Sequence, residues 1–477
     1  MTSTDALLAA PCARPDPRRW TALAILLTGA FLPPLDFFIV NVALPSIRSD
    51  LHASAAALQL VMSGYAVAYA VLLILGGRLG DLYGRRRIFL AGLAGFAAAS
   101  ALCGLAWSPN ALVAGRLIQG VAAAVLAPQA LASIHHLFPP TEKPKALGLF
   151  GFMIGSASIV GQILAGLLID GSPLGWRAVF LVNLPVVALT VPAALLFLPE
   201  SRGDADSRLD VGGSLWLAAT LAALVVPLIE GRELGWPWQS FALLALSPAL
   251  ALGFWRYENR LVARGGNPLV HPDALRAPGL LRGLTATLVF YAMASFFLIF
   301  PMYEEFGLGF SARAAGLAFL PFGLGFLIGS QFARFAAARL GALAASAGMT
   351  TTALGMIALS LLVRRHASLG VEPVLLAMGL GQGVAMPAML RAVIDRVDPR
   401  WSGLASGLVN ATLQIGAALS VAIIGGLFFA RLGTSADLDA IGAAFSLSLL
   451  CIAAALAFGA AAIAGLRRRK ASDTIRA

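Results

Sequence analysis

Charge is scarce in this sequence. Only 12% of its 477 residues are Asp, Glu, Lys or Arg and 59% are hydrophobic, whereas a soluble domain carries about 25% charged residues. A water-soluble fold of this length has no polar surface to spare for such a core. Lysine is rarer still: of 34 basic residues 31 are arginine. The three cysteines, Cys12, Cys103 and Cys451, are far apart and unpatterned, so they imply neither a disulfide framework nor a metal site. The first twenty residues hold no apolar stretch long enough for a signal peptide. The longest polar connection, 257–281, is too short for a soluble domain. Function therefore resides in apolar segments, in short loops, or in a partner.

Those apolar segments are numerous. A helix needs about 20 mostly apolar residues to cross a hydrocarbon layer about 30 Å thick. Runs of that kind, divided by charge, Pro or Gly, give fourteen spans, the first at 20–46 and the last at 440–466. They lack the alternating polarity of barrel strands, so an all-α integral membrane protein is expected. The net charge of +11 does not point to nucleic acid, because the arginines sit in clusters between apolar runs, as topology signals do. With a cytoplasmic N-terminus, 26 Lys and Arg fall inside and 7 outside. That asymmetry places both termini in the cytoplasm of a bacterial inner membrane, with Arg364 and Arg365 as the one clear violation.

Within spans, a charged side chain costs about 2.5–3.5 kcal/mol on insertion scales. Two lie well inside: Asp36 in span 1 and Arg116 in span 4. Burial of a carboxyl brings its proton exchange closer to neutral pH, and a nearby arginine opposes that. The pair is therefore expected either to couple protons or substrate, or to hold two helices together as a static ion pair. Pro33 and Pro34 precede Asp36 and deprive the carbonyls of Gly29 and Ala30 of their helical donors. A kinked helix beside a wet cavity and an ordinary proline kink both fit.

The second signal is GGRLGDLYGRRR (76–87) between spans 2 and 3. Gly77 is expected to permit close helix approach, and Gly80 and Gly84 a tight turn. Asp81 is placed to pair with Arg85 or Arg86, or to face a helix N-terminus. Asp398, before Pro399, reads as the N-cap of span 13 and as the partner of such a latch.

GGRLGDLYGRRR closely resembles the signature loop of the major facilitator superfamily. LDFFIVNVALP (35–45), RLIQG (116–120) and GWRAVFLVNLP (175–185) resemble motifs of its fourteen-helix drug:proton antiporter branch. SARAAGLAFLP (311–321) and SGLASGLVNATLQIGAALSVAI (402–423) are similar to segments of that branch's C-terminal half, and the matches run in order through nearly the whole chain. The resemblance implies two six-helix bundles, 20–198 and 282–466, around a central cavity. Two linker helices would fill 199–256, followed by a cytoplasmic loop at 257–281. Tails at 1–19 and 467–477 complete the division. It further implies alternating access, with Asp36 as the membrane acid, Arg116 and Gln119 as a polar pair on the fourth helix, and Asp81, Arg85 and Arg86 as a gating latch that stabilises the outward-facing state. Two departures stand out. The branch's Gly-Pro-x-x-Gly-Gly on the fifth helix is Gly161-Gln162-Ile163-Leu164-Ala165-Gly166 here, so Gln162 replaces the kinking proline and offers a ligand contact instead. The second half's counterpart of the latch, ARFAAARLGALAA (333–345), has lost most of its charge.

Asn41, Gln59, Tyr65, Gln129, Tyr291 and Asn410 are further candidates for the cavity wall, with interhelical hydrogen bonding as the competing role. Glu304 and Glu305 are expected as solvated rim charges, and His135 and His136 as interfacial. GxxxG spacings, as at Gly325–Gly329, are read as tight internal packing and not dimerisation, so a monomer is expected to suffice. The expected activity is proton-coupled export of small amphipathic or cationic molecules through the lipid bilayer, with no catalytic residues, cofactor, metal or nucleic acid. Import or export of a specific metabolite, or of a natural product made by the same cell, is the alternative. An intramembrane transferase would show clustered carboxylates or a paired nucleophile and base, and the sequence has neither.

Overall fold

In lipid each backbone group must find its partner within its own segment, and every apolar run meets that demand as a helix. The computed structural model describes residues 17–139, 141–202, 210–231, 233–367, 369–394, 402–433 and 437–465. Among these are fourteen helices long and apolar enough to cross a membrane. The N-terminal six are α1 (Arg19–Leu51), α2 (Ala55–Tyr83), α3 (Arg85–Gly104), α4 (Pro109–Leu137), α5 (Lys145–Gly171) and α6 (Gly175–Phe197). A linker pair follows, α7 (Val211–Glu230) and α8 (Trp238–Ala263). The last six are α9 (Leu280–Gly307), α10 (Ala312–Leu340), α11 (Ala342–Arg364), α12 (Val371–Ile394), α13 (Gly407–Leu432) and α14 (Leu438–Ala464). Serine side chains cap the starts of α2, α4 and α10, where Ser54, Ser108 and Ser311 accept hydrogen bonds from Ala57, Ala111 and Ala314 N–H. α1 runs unbroken through Pro33, Pro34 and Pro45.

Helices in lipid gain little from hydrophobic contrast and associate through close packing of small residues. α2 meets α4 at Gly76, where a Cβ would come 2.1 Å from the Ala124 carbonyl oxygen. The close approach expected of Gly77 thus belongs to its neighbour, since a Cβ at Gly77 would make only an ordinary 3.6 Å contact with Pro128. Gly325 and Gly329 press α10 onto the carbonyls of Leu376 and Leu380 in α12, the internal packing expected of that GxxxG.

The two six-helix halves meet along α2–α13, α5–α10 and α1–α9. At the end remote from the Arg85–Arg87 cluster, the Arg313 N–H donates to the Asp170 carboxylate across the α5–α10 seam, at 2.9 Å. Midway, Gly155 lies against Phe326. Towards the arginine-rich end, Cβ atoms at Gly148 and Gly151 would meet nothing within 4 Å, so that face of α5 borders open space. The seam is closed at one end and parted at the other.

The connection expected at 257–281 is pinned at particular residues. α8 continues to Ala263, and Leu269 and Val270 are buried. Their N–H groups donate to Asp210 and Glu258, each at 2.9 Å, which is what permits a turn to lie inside. Asp210 also caps α7 through Gly213 N–H at 2.7 Å and accepts from the Tyr257 hydroxyl at 3.0 Å. Arg78 of α2 donates to the Asn267 and Pro268 carbonyls. At the start of α5, Glu142 accepts two hydrogen bonds from Arg19, at 2.7 and 2.9 Å, which hold its carboxyl below the usual range. Asp398 lies outside the described residues, as do most of the two terminal tails.

Candidate functional site: a buried acid beside an aromatic cavity

Asp36 and Arg116 are both fully buried and form an ion pair between α1 and α4. Asp36 Oδ1 also accepts from Gln119 Nε2 at 2.8 Å and from Asn183 Nδ2 of α6 at 3.0 Å. Both amides donate in turn to Ser100 Oγ of α3, at 2.9 and 3.2 Å. Arg116 Nη1 further donates to Gln119 Oε1 at 2.7 Å and Nε to the Val61 carbonyl of α2 at 2.9 Å. The Tyr65 ring lies 4.2 Å from its guanidinium carbon, and the Tyr65 hydroxyl donates to the Pro33 carbonyl at 3.0 Å. That bond occupies a carbonyl beside the proline pair. Five helices thus converge on one carboxylate. Buried charge is tolerated only when paired and hydrogen-bonded in this way.

A separate, largely apolar space lies between the halves. Phe38, Phe290, Tyr291, Phe297, Phe322 and Phe326 line it, with Met293, Met386, Pro34 and Gln382. Pro34 and Phe38 flank Asp36 by two residues, about 200° around the helix, so Asp36 points away from the cavity into the N-terminal bundle. Tyrosines stand between the two. Tyr65 packs edge-on to Tyr69 at 6.0 Å between centroids, and Tyr291 lies on the cavity wall. No acidic side chain is among the lining residues. Gln382 is buried with its carbonyl oxygen lacking a partner, a free acceptor on an otherwise apolar wall.

Of the cavity candidates, Tyr291 alone lines this space. Asn41 donates to its own helix at the Phe37 and Phe38 carbonyls. Gln129 ties α4 to the Gly76 carbonyl of α2 at 2.7 Å, and Gln59 faces Gly425 and Gly426 of α13. Gln162 is buried at the α5–α10 seam with both amide atoms unpartnered, and Asn410 is exposed on α13. Sequence reasoning did not single out Asn183, Ser100, Tyr69 and Gln382; only Asn183 lay within a quoted motif.

At the signature loop Asp81 pairs with Arg85 at 2.9 Å, one helical turn apart. Gly84 has φ +103°, a conformation that favours glycine, and forms the turn between α2 and α3. Gly80 serves close approach instead, since a Cβ there would meet Gln129 Oε1 at 1.8 Å. Arg85 N–H donates to the Ser201 carbonyl at 2.8 Å and Arg86 N–H to Glu200 at 3.0 Å. The loop is therefore bound to the end of α6 through Glu200, a residue the sequence did not single out. Glu304 is not the solvated rim charge expected, being only 4% exposed, and Glu305 beside it is half-buried. His135 and His136 are exposed at the end of α4, as expected.

Known proteins resemble this chain. The family model described as Major Facilitator Superfamily matches residues 26–421. A probable actinorhodin transporter of Streptomyces coelicolor is 37% identical over 430 residues, 88% of this chain and 74% of that protein. The puromycin resistance protein of Streptomyces alboniger is 36% identical over 438 residues, 87% of this chain and 83% of that one. Among solved structures, a bacterial homologue of the human lysosomal transporter Spinster, inward-facing and unoccupied, superposes with a TM-score of 0.67 at 16% identity, covering 95% of this chain and 98% of that one. That likeness concerns the fold. With fourteen spanning helices, two halves around a cavity and these relatives, the chain belongs to the Major Facilitator Superfamily and is a multi-pass bacterial membrane transporter.

Proposed function

We propose that the protein exports small amphipathic, largely aromatic molecules across the inner membrane in exchange for protons. The observation that carries this reading is the cavity: six aromatic rings, two methionines and one unpartnered amide oxygen suit a flat apolar cargo with a hydrogen-bond donor. Relatives named for actinorhodin transport and puromycin resistance support export of compounds of antibiotic type. The charge asymmetry of the loops supports termini on the cytoplasmic side. The parted end of the α5–α10 seam then faces the cytoplasm, ready to load cargo.

In this reading Asp36 is the proton carrier, with Arg116 as its resting counter-ion. Proton and cargo act on each other indirectly, because Asp36 does not line the cavity. Cargo pressing on Tyr291 shifts Tyr69 and Tyr65, which moves the ring off Arg116 and frees Asp36 to take a proton. A single chain is the working unit. A second reading, export of an uncharged natural product made by the same cell, is favoured by the absence of any acid from the cavity wall.

Everted vesicles supplied with ethidium or puromycin in the medium test the proposal. Asp36→Asn is expected to abolish uptake driven by a pH gradient while the protein stays in the membrane at normal amount. Undiminished uptake in that variant removes Asp36 from the mechanism.

A further inference from the structure

α9 ends in a single π-turn, Tyr303–Gly307, that carries two consecutive acids. Tyr303 stacks on Phe445 of α14 with ring centroids 4.7 Å apart, which draws the turn inward. Glu304 is 4% exposed, and its Oε2 is buried without a hydrogen-bond partner; Glu305 Oε1 is likewise buried and unpartnered. The charged groups around them offer no compensation. Asp170 of α5, which accepts from the Arg313 N–H at the same end of the molecule, is itself an acid. Arg48 of α1 lies over the Phe306 ring at 5.7 Å, and neither it nor Arg313 of α10 forms an ion pair with these carboxyls among the described residues. Asp437 and Asp439 at the start of α14 add only negative charge, and Asp439 pairs with His366. An ionised carboxylate buried with no counter-charge is far less favourable than the same group carrying a proton.

We propose that Glu304 and Glu305 form a second proton-binding site, distinct from Asp36, at the closed gate remote from the arginine-rich end. As that gate closes, one carboxylate takes a proton from the adjoining water and keeps it as a buried O–H. As the gate opens, the proton returns to water and the hydrated carboxylate is ionised. No electrons move. The position makes this a lock: the Asp170–Arg313 contact closes the same seam, so alkaline medium favours the open gate and acid medium the closed one. Sequence alone suggested a hydrated rim, and it is the burial that assigns the role.

The test uses the full-length protein in nanodiscs, with Cys12, Cys103 and Cys451 replaced by serine. Nitroxide labels go on Leu174→Cys and Leu308→Cys, exposed positions flanking the gate in the two halves. Double electron–electron resonance then reports the gate distance across a pH series. The expected result is a closed-to-open ratio that falls about tenfold per pH unit through the titrating range, as one bound proton requires. Glu304→Gln is expected to hold the gate closed at every pH and Glu304→Asp to keep the response. A gate distance in the unsubstituted acids that ignores pH, or a Glu304→Gln variant that titrates normally, overturns the proposal. A response lost only in Asp36→Asn assigns the proton to the first site and overturns it equally.

Discussion

Asp36 owes its place to donors from three residues on two neighbouring helices, Arg116 and Gln119 of α4 and Asn183 of α6. Removing one member of a buried pair leaves the other charge without compensation, at a cost of about 3–5 kcal/mol. Asp36→Ala should lower thermal stability in detergent by that order, and Asp36→Ala with Arg116→Leu by clearly less. Equal losses in the two would mean the pair contributes nothing through its charge. Tyr65→Phe keeps the ring over Arg116 and deletes only the hydroxyl bond to Pro33. It should cost about 1 kcal/mol of stability yet slow efflux several-fold, read as accumulation of ethidium. Unaltered efflux would cut the tyrosine relay out of the cycle. Asp36, Arg116 and Gln119 were legible because charge inside an apolar run is rare and i, i+3 spacing shares a face. Asn183 and Gln382 were not, because uncharged polar residues are common in spans and spacing alone does not say which neighbour a face will meet. The orientation of Asp36 away from the cavity was likewise hidden, since it depends on how α1 is rotated.

At the scale of elements, the α2–α3 turn shows sequence and structure agreeing on chemistry and differing on partners. Its glycines, its acid and its arginines were visible in the sequence, but Glu200 arrives from more than a hundred positions along the chain and closes the contact. A Cβ at Gly84 would meet the Glu200 carboxyl at 2.7 Å and strain a φ of +103°. Gly84→Ala should therefore destabilise by about 1–3 kcal/mol from backbone strain alone. Glu200→Gln should release Arg86 and Arg87, so limited trypsin digestion of everted vesicles should cut this turn faster than in the parent. Equal cleavage rates would show that the turn holds without that anchor. The connection 257–281 has a related feature: its composition is polar, and the carboxylates that hold Leu269 and Val270 in place include Asp210, from before α7.

For the whole molecule, the fourteen helices and their division were legible because bilayer thickness sets span length and leaves little freedom. Which end of the seam is parted was not, since it depends on contacts between helices distant in sequence. Asp170→Cys with Arg313→Cys should join the closed end on oxidation, stop efflux, and recover with reductant. Efflux that persists through complete cross-linking would refute alternation at this seam. The energetics also separate the two cargo readings. One proton exchanged for a monovalent cation moves no net charge and draws on the pH gradient, about 1.4 kcal/mol per unit. An uncharged cargo also draws on the membrane potential, about 2.3 kcal/mol per 100 mV. Imposing the potential alone should accelerate only the uncharged case, and acceleration of ethidium would refute one-for-one exchange.

Arg78 grips the Asn267 and Pro268 carbonyls while Asp210 and Glu258 hold the two residues that follow. Leu269 and Val270 also pack with Leu408 of α13, so the riveted end of the α7–α8 hairpin is a brace between α2 and α13 and not a free strap.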